Sequence, residues 1–470
     1  MDSQIVNYLR GKGITVIGEN IEEKLDIWDQ WYRGHVDKFH QYKIYEGKRN
    51  IQKTRRTLNM AARVCQDWAD LLLNEKVELS ASDEYTEEVL HRLLDQVNFY
   101  VKCNNLIEAA FAKGGGFLIQ YWDGEKVNQK YITQDMYYPI SFDSGKVTEA
   151  AFASKITVKG QEYTYLETHT IGEDGCYQIE NQILKSTNNS LSEVPDMYDT
   201  LALDQYIYTG SPVPTFQQIR PNIANRDKFD SPYGTSVFAG ATDILEGVDI
   251  VYDAYISEIL LGRKRIFAND SVTNVHITEN GETIKAFDPS DEVFYLLPAN
   301  SDNPTAPPVI ECNMQLRVAE LDSAMQTQLN LLSQACGFGA NGYKWDSGNV
   351  STATQVISEN SKMFRTLHKH ESVLRTAIID MAHSLLNFES RYNNDKEIDL
   401  NATITVDFDD SIIEDTAEKR RQAMLEFNSG LIDAIEYYMQ IYKLDKEQAT
   451  NFYNEMLSRK PEIEEDPEGA

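Results

Sequence analysis

The sequence predicts a predominantly helical α+β protein, and three observations predict it. Apolar residues recur at three- and four-residue spacing over long stretches in the first, middle and last parts of the chain. From 117 to about 220 that rhythm gives way to short, partly alternating runs rich in aromatic and β-branched residues. The length of 470 residues, with 41% hydrophobic and 25% charged, suits a soluble globular chain with more than one core.

Residues 20–113 read as helical. Leu58, Ala61, Ala62, Cys65, Trp68, Ala69, Leu72 and Leu73 form one apolar stripe. A second helix runs through EEVLHRLLDQVNFYVKCNNLIEAAFAK, and Gly114, Gly115 and Gly116 stop it. FLIQYW, KVNQKYIT, VTEAAFASKITV, EYTYLETHTI and CYQIENQILK then read as an antiparallel β meander, broken by DSG, KGQ and GEDG turns. Residues 186–234 form a looser, Pro-rich stretch.

Residues 235–262 read as a helical rod about 40 Å long. Ile244, Leu245, Val248, Val251, Tyr252, Tyr255 and Ile259 fall on one side, and Asp243, Glu246, Asp249 and Asp253 on the other. Three consecutive cations, Arg263, Lys264 and Arg265, end it. A small insert, 266–312, carries the strand-like FYLLP and leaves through NPTAPP. A second rod at 313–336 shows the seam Met314, Val318, Leu321, Met325, Leu329, Leu332 and Cys336, suited to packing on another helix. Two rods flanking a short insert imply an antiparallel pair with the insert at its tip. A glycine-rich loop, GFGANGYKWDSGNV, follows. Thr352 and Gln355 make a capping box for a helix over 352–393, with Val356, Met363, Leu367, Leu374, Ile378, Met381 and Leu385 on its stripe. ATITVDFDD alternates like a strand, three short helices occupy 413–428, 431–442 and 445–458, and an acidic tail follows.

The formal net charge is −30, whereas a protein that wraps DNA is basic because phosphate neutralisation supplies its affinity. The five cysteines are far apart and lack a CxxC, so they indicate neither a disulfide framework nor a zinc site, and they fit a reducing cytoplasm. No stretch approaches the roughly 20 apolar residues of a membrane helix. The opening MDSQIVNYLR carries no apolar run of a secretory signal.

The chemistry-bearing patterns each meet a structural alternative. Gly114–Gly116 lacks the Lys-Ser/Thr of a phosphate loop and follows a helix, which favours a helix stop. Asp407, Asp409, Asp410, Glu414 and Asp415 can offer oxygens to a hard cation, but Asp410 and Ser411 equally cap the next helix. His368 and His370 are two apart and point to different helix faces. No catalytic arrangement, metal set or cofactor is expected. Lys43 to Arg63 holds seven basic residues and one acidic; it can touch nucleic acid, but in a chain this acidic a solvated helix face or an interface to an acidic neighbouring subunit is favoured. Arg263, Lys264 and Arg265 either complement a helix C-terminus or form a basic ring facing phosphates. Trp345 either folds onto the core or, with Lys344, presses against passing DNA.

The order of these parts resembles the portal proteins of tailed phages, in particular those of siphophages infecting Gram-positive bacteria. WDQWYRGHVDKFH at 28–40, RVCQDWADLLLNEKV at 63–77, ITQDMYYP at 132–139, SPYGTSVF at 231–238, NVSTATQVISENSKMF at 349–364, FDDSIIEDTAEKRRQ at 408–422 and GLIDAIEYYMQIYKLDKEQATNFYNEML at 430–457 carry the resemblance. It implies a portal fold: a wing formed by 1–234 with 351–410, a two-helix stem at 235–262 and 313–336, a small α/β clip at 263–312, a tunnel loop at 337–350 and a helical crown at 411–470 with the acidic tail. It also implies a dodecameric ring at one capsid vertex of the virion, assembled in the host cytoplasm. Double-stranded DNA is packaged and ejected through such a ring. Its partners are other copies of itself, the terminase packaging motor, a neck or tail adaptor, and the major capsid and scaffolding proteins, with no membrane. The resemblance implies no enzymatic activity. A metal-dependent nuclease and another structural head or tail protein are the alternatives.

On this reading the loop residues Asn341, Tyr343, Lys344, Trp345 and Asn349 face DNA. Arg263, Lys264 and Arg265 form a basic stem end. Asp243, Glu246, Asp249 and Asp253 line the channel or the subunit seam. A conduit must not hold what passes, and a mostly acidic channel avoids sticking, with salt limiting its repulsion to about 8 Å.

Overall fold

A computed structural model describes residues 3–18, 21–46, 49–73, 77–143, 145–187, 190–201, 203–262, 265–269, 275–277, 283–285, 294–297, 309–312, 315–345, 353–408, 416–442 and 446–458. It is mixed helix and sheet, as an α+β chain requires. The first part holds α1 (Ser3–Gly11), α2 (Glu22–Tyr32), α3 (Asp37–His40), β1 (Gln41–Glu46), β2 (Arg49–Thr54), α4 (Met60–Leu72), β3 (Glu78–Ala81), α5 (Glu84–Gln96) and α6 (Phe99–Lys113).

Two expectations fail in this part. Residues 41–54 are not helical: β1 and β2 pair antiparallel with Ile44 opposite Ile51. Alternation of Tyr42 and Ile44 before Gly47, with Ile51 after it, was the signal for a hairpin. The expected single helix after Glu87 is two, because Asn98 stands in the left-handed region at φ 52°, which Asn tolerates better than other side-chain-bearing residues. Gly114 stops α6 at φ 89°, as its position after the last apolar residue predicts.

The meander follows. β4 (Gly116–Trp122) pairs with β5 (Val127–Thr133). Then come β6 (Tyr137–Asp143), β7 (Lys146–Val158), β8 (Gln161–Ile171), β9 (Tyr177–Thr187), β10 (Ser190–Glu193), a short α7 (Asp196–Leu201), β11 (Tyr206–Tyr208) and β12 (Phe216–Ile219). Strands β10-β9-β8-β7-β6 form one antiparallel sheet with β11 also on β9, and β12-β4-β5 form another.

Polar groups sit inside this region. Glu167 on β8 is buried and meets the Lys130 ammonium, and His169 Nε2 lies 3.4 Å from its other oxygen. Lys130 also sits over the rings of Tyr165 (4.4 Å) and Tyr121 (4.7 Å). Burial works against the Glu167 charge, but Lys130 and then His169 overcome it and hold the carboxyl at about 2.

Helix α8 (Thr242–Leu261) begins later than position 235 and is therefore about 30 Å long, shorter than expected. Residues 235–241 are tied elsewhere: Val237 N donates to Phe111 O at 2.9 Å, and Ser236 Oγ donates to the same carbonyl at 3.2 Å. A serine that competes for backbone partners in this way delays a helix. The insert follows as β13 (Arg265–Asn269), β14 (Val275–Ile277), β15 (Thr283–Lys285), β16 (Phe294–Leu297) and β17 (Val309–Cys312). β13 lies between β16, parallel to it, and β17, antiparallel to it. Helix α9 (Val318–Ala335) then packs back along α8.

Helix α10 (Ala353–Tyr392) spans about 60 Å and is the spine of the molecule. Leu367, Leu374, Ile378, Met381, Leu385 and Leu386 are buried against β4, β12, α4 and α5. β18 (Ile404–Asp407) pairs with β3, bringing a late strand onto the first helices. The chain continues through α11 (Thr416–Asn428), α12 (Ala434–Tyr442) and α13 (Lys446–Ser458), where Tyr438 packs edge-on against Phe452 at 5.2 Å. Thr352 of the expected capping box lies outside the described residues. Among the described residues no helix is long and apolar enough to cross a membrane.

Lys130→Ala leaves the Glu167 carboxylate buried without its cation. A loss of roughly 3 kcal/mol is expected, read as a lower Tm in calorimetry. Glu167 is held below the ordinary carboxylate value of about 4.3. Its contribution is therefore complete above that value and lost as pH falls through about 2. In urea titrations the stability gap between wild type and Glu167→Gln should be widest above pH ~5 and close toward pH ~2.

Candidate functional site

The described molecule brings the stem-like pair α8/α9, the loop after α9 and the spine α10 to one place. Side chains of the expected seam meet there. Leu245 and Val248 of α8 and Met325, Leu329 and Leu332 of α9 are buried. Gly247 permits the approach, since a Cβ there would stand 2.6 Å from Gln328 Oε1. At the insert end Arg317 clasps Glu258: its Nη2 donates to Oε2 at 2.8 Å and its backbone N to Oε1 at 3.3 Å.

The loop folds back along α9. Gly337 turns the chain at φ 94°, where a Cβ would lie 2.7 Å from Thr366 Cγ2. Phe338 then stacks on Trp68, with ring centroids 4.5 Å apart, and Trp68 Nε1 donates to Cys336 O at 3.0 Å. Ser333 Oγ donates to Gly339 O (2.8 Å) and accepts from Gly342 N (3.1 Å). One turn and more further down α9, Gln326 Nε2 donates to Tyr343 O and Gln326 Oε1 accepts from Trp345 N (2.9 and 2.7 Å). Trp345 Nε1 donates to Asp322 Oδ1 at 2.8 Å, and its ring meets Tyr255 of α8 edge-on. Three polar side chains of α9 thus strap the loop to the helix pair.

Of the two readings of Trp345, the structure has it folded on its own subunit. Tyr343 packs on the same core, and Asn341 is half-buried at φ 61°. Lys344 is exposed between them. Asn349 lies outside the described residues, as do Arg263 and Lys264. Arg265 opens β13 and is half-buried.

The four acids of α8 separate. Asp243 is exposed and Glu246 half-buried. Asp249 is 3% exposed and is corrected from the expected stripe: Oδ2 lies 3.0 Å from His40 Nε2, and Oδ1 accepts from Leu58 N at 2.8 Å. Val36 N donates to His40 Nδ1 at 2.8 Å, which puts the ring proton on Nε2, facing Asp249. Asp253 pairs with Arg56 at 3.1 Å. The helical wheel placed these acids opposite the apolar face but did not show that residues 36–58 cover that side.

His370 of α10 joins the loop root. It packs edge-on against Trp68 and Phe111 and accepts from Asn222 N at 2.9 Å. Burial, with Lys369 beside it, lowers it to about 4. His368 instead pairs with Glu371 at 2.7 Å, so the two histidines do part.

The triple glycine packs rather than binds. A Cβ at Gly114 would stand 2.7 Å from Gly234 O, and Gln134 bridges Lys113 O and Gly234 N. Asp407 is exposed on β18, and the rest of the 407–415 acidic cluster lies outside the described residues. Among the described residues no group of three His, Cys, Asp or Glu side chains is placed to hold a metal ion.

The family model described as Phage portal protein, SPP1 Gp6-like, matches residues 12–465. No curated protein matches the chain.

Two substitutions test the strap. Gly337→Ala forces a side chain into the left-handed region against Thr366, so a loss of roughly 2 kcal/mol in thermal unfolding is expected. Trp345→Phe keeps an aromatic ring beside Tyr255 but removes the bond to Asp322. It should cost about 1 kcal/mol and speed amide exchange across 337–345 while circular dichroism stays unchanged.

Proposed function

The chain belongs to the phage portal protein family of the SPP1 Gp6-like type, and from that premise we propose that it forms a ring-shaped channel at one capsid vertex, through which double-stranded DNA is packaged and later ejected. In this assignment α8 and α9 are the stem, the insert from 263 to 312 is the clip, 337–350 is the tunnel loop, and the helices after 411 are the crown. The remainder, 1–234 with 351–410, is the wing. The ring is a dodecamer. Its clip docks the terminase packaging motor first and a neck or tail adaptor afterwards, and capsid and scaffolding proteins surround it. The host is a Gram-positive bacterium and the virus a siphophage.

One observation carries the reading beyond family membership. A loop strapped along a two-helix rod is rooted, through Gly337 beside Thr366 and through Trp68 between Phe338 and His370, against a 40-residue spine, so whatever the loop touches is mechanically joined to both. The rod also exposes Ile250, Ile259, Leu260, Leu261, Leu316 and Leu331, an apolar surface that neighbouring copies in a ring would cover.

Within the loop, the DNA-facing role passes chiefly to Lys344, which projects while Tyr343 and Trp345 hold the backbone behind it. Asp243 and Glu246 remain the channel or seam acids of the stem. Such a lining repels DNA weakly at all registers and leaves a few local cations to touch phosphate, which permits sliding.

Negative-stain electron microscopy of the purified protein should show end-on rings with about twelve-fold symmetry and a hole wide enough for duplex DNA. Compact monomers at every concentration and salt, together with divalent-dependent nicking of plasmid DNA, would instead favour a nuclease. Lys344→Ala should assemble normally but change packaged DNA length or retention. Normal packaging and infectivity in that variant would remove Lys344 from the DNA contact.

A further inference from the structure

We propose that the β1–β2 hairpin is a basic arm that docks on an acidic face of the neighbouring copy of this chain. The proposal rests on the ring reading above and names a contact within it.

The basic stretch from Lys43 to Arg63 divides in two. Its later cations are satisfied inside the subunit. Arg55 sits over the rings of Phe39 (4.2 Å) and Tyr42 (5.0 Å) and donates to Phe39 O, Arg56 pairs with Asp253 of α8, and Arg63 pairs with Asp67. Of these contacts, the Arg56–Asp253 pair anchors the base of the arm to the stem helix α8. The earlier cations are not satisfied. Lys43, Arg49 and Lys53 are exposed and make no ion pair among the described side chains; Glu46, opposite Arg49 in the strand register, lies outside them.

The backbone of the arm is also unmatched. β1 and β2 form a sheet of two strands, and no third strand among the described residues pairs with either outer edge. A two-stranded hairpin is marginal alone in water, and open edges offer N–H and C=O groups to another chain. Tyr45 is 75% exposed on the face it shares with Lys43, Gln52 and Asn50, while Lys53 lies on the other face beside the Ile44–Ile51 pair. Both faces therefore carry charge beside an apolar or aromatic group, the composition of a protein interface.

A second copy supplies what is missing. The arm is positive on a chain of net charge −30, so any neighbour presents mostly acid. In a closed ring the contact is head-to-tail: a patch on one copy meets a different patch on the next, which lets a basic arm meet an acidic surface without symmetry placing like charge on like. Duplex DNA offers charge but no strand edge and no apolar cover for Tyr45, and its approach is opposed by the whole molecule.

The test compares wild type with Lys43→Glu/Arg49→Glu/Lys53→Glu by native mass spectrometry and negative-stain microscopy, with circular dichroism matching the folds. Wild type should form rings at low salt, and the variant should need at least about tenfold more protein to do so. In wild-type rings, amides of 41–54 should exchange more slowly than in the same protein dissociated at high salt, a readout independent of the variant. Rings of equal stability in both proteins, with no protection at 41–54, overturn the proposal and leave the ring reading standing. Intact variant rings that lose DNA retention assign the arm to DNA and likewise overturn it. Wild-type protein that assembles under no condition and nicks plasmid DNA with divalent cations removes the ring reading itself.

Discussion

The indole of Trp68 is the point on which the arrangement of the α8/α9 pair, the loop and the spine depends. It is fully buried, and each of its surfaces is committed to a different element. Its N–H closes the end of α9 through Cys336 O, its face carries Phe338 as the loop departs, and its edge meets His370 of α10. A large ring can do this because a flat aromatic surface orders its neighbours at small conformational cost, and because its one polar atom finds a partner. Gly337 follows from it: the turn that leaves α9 passes between Trp68 and Thr366, where a side chain has no room.

From that fixed root the loop runs along α9 instead of away from it. Three polar residues of α9 hold it, Gln326 and Ser333 through its backbone and Asp322 through the Trp345 indole. The acids of α8 divide in the same manner, Asp249 and Asp253 serving the packing of the N-terminal arm and Asp243 and Glu246 remaining outside. A net charge of −30 therefore does not describe one surface. Part of it is consumed in holding the subunit together, and only the remainder acts on partners.

The sequence made much of this legible where the physics is local. α8, α9 and α10 announce themselves by apolar spacing, and the meander by alternation, because both patterns follow directly from which side faces the core. The hairpin at 41–54 was obscured by helical signals on both sides, and β3 is too short to show a period before β18 pairs with it. The start of α8 depended on Ser236 finding Phe111 O, a contact between distant residues that no local pattern encodes. Among the site residues, Lys344 and Trp345 stood out by type in a glycine-rich loop. That Trp345 would bond Asp322 was not readable, although Asp322 and Gln326, four apart beside the apolar seam, marked a helix face with something polar to hold. Burial of Asp249 left no trace in the sequence at all, since its partner His40 lies more than two hundred residues away.

The small insert between α8 and α9 is closed off at its base. Arg265 and Cys312 stand opposite each other in one antiparallel register, so the chain leaves and returns at the same rung of a ladder. Gly262 and Leu316 close tightly just beneath, and the Glu258–Arg317 pair locks the two helices there. Everything beyond that clasp is bounded by two adjacent strands whose spacing does not depend on what lies between them. A change of sequence within the insert therefore enters and leaves the fold at one closed point, beside the Glu258–Arg317 pair.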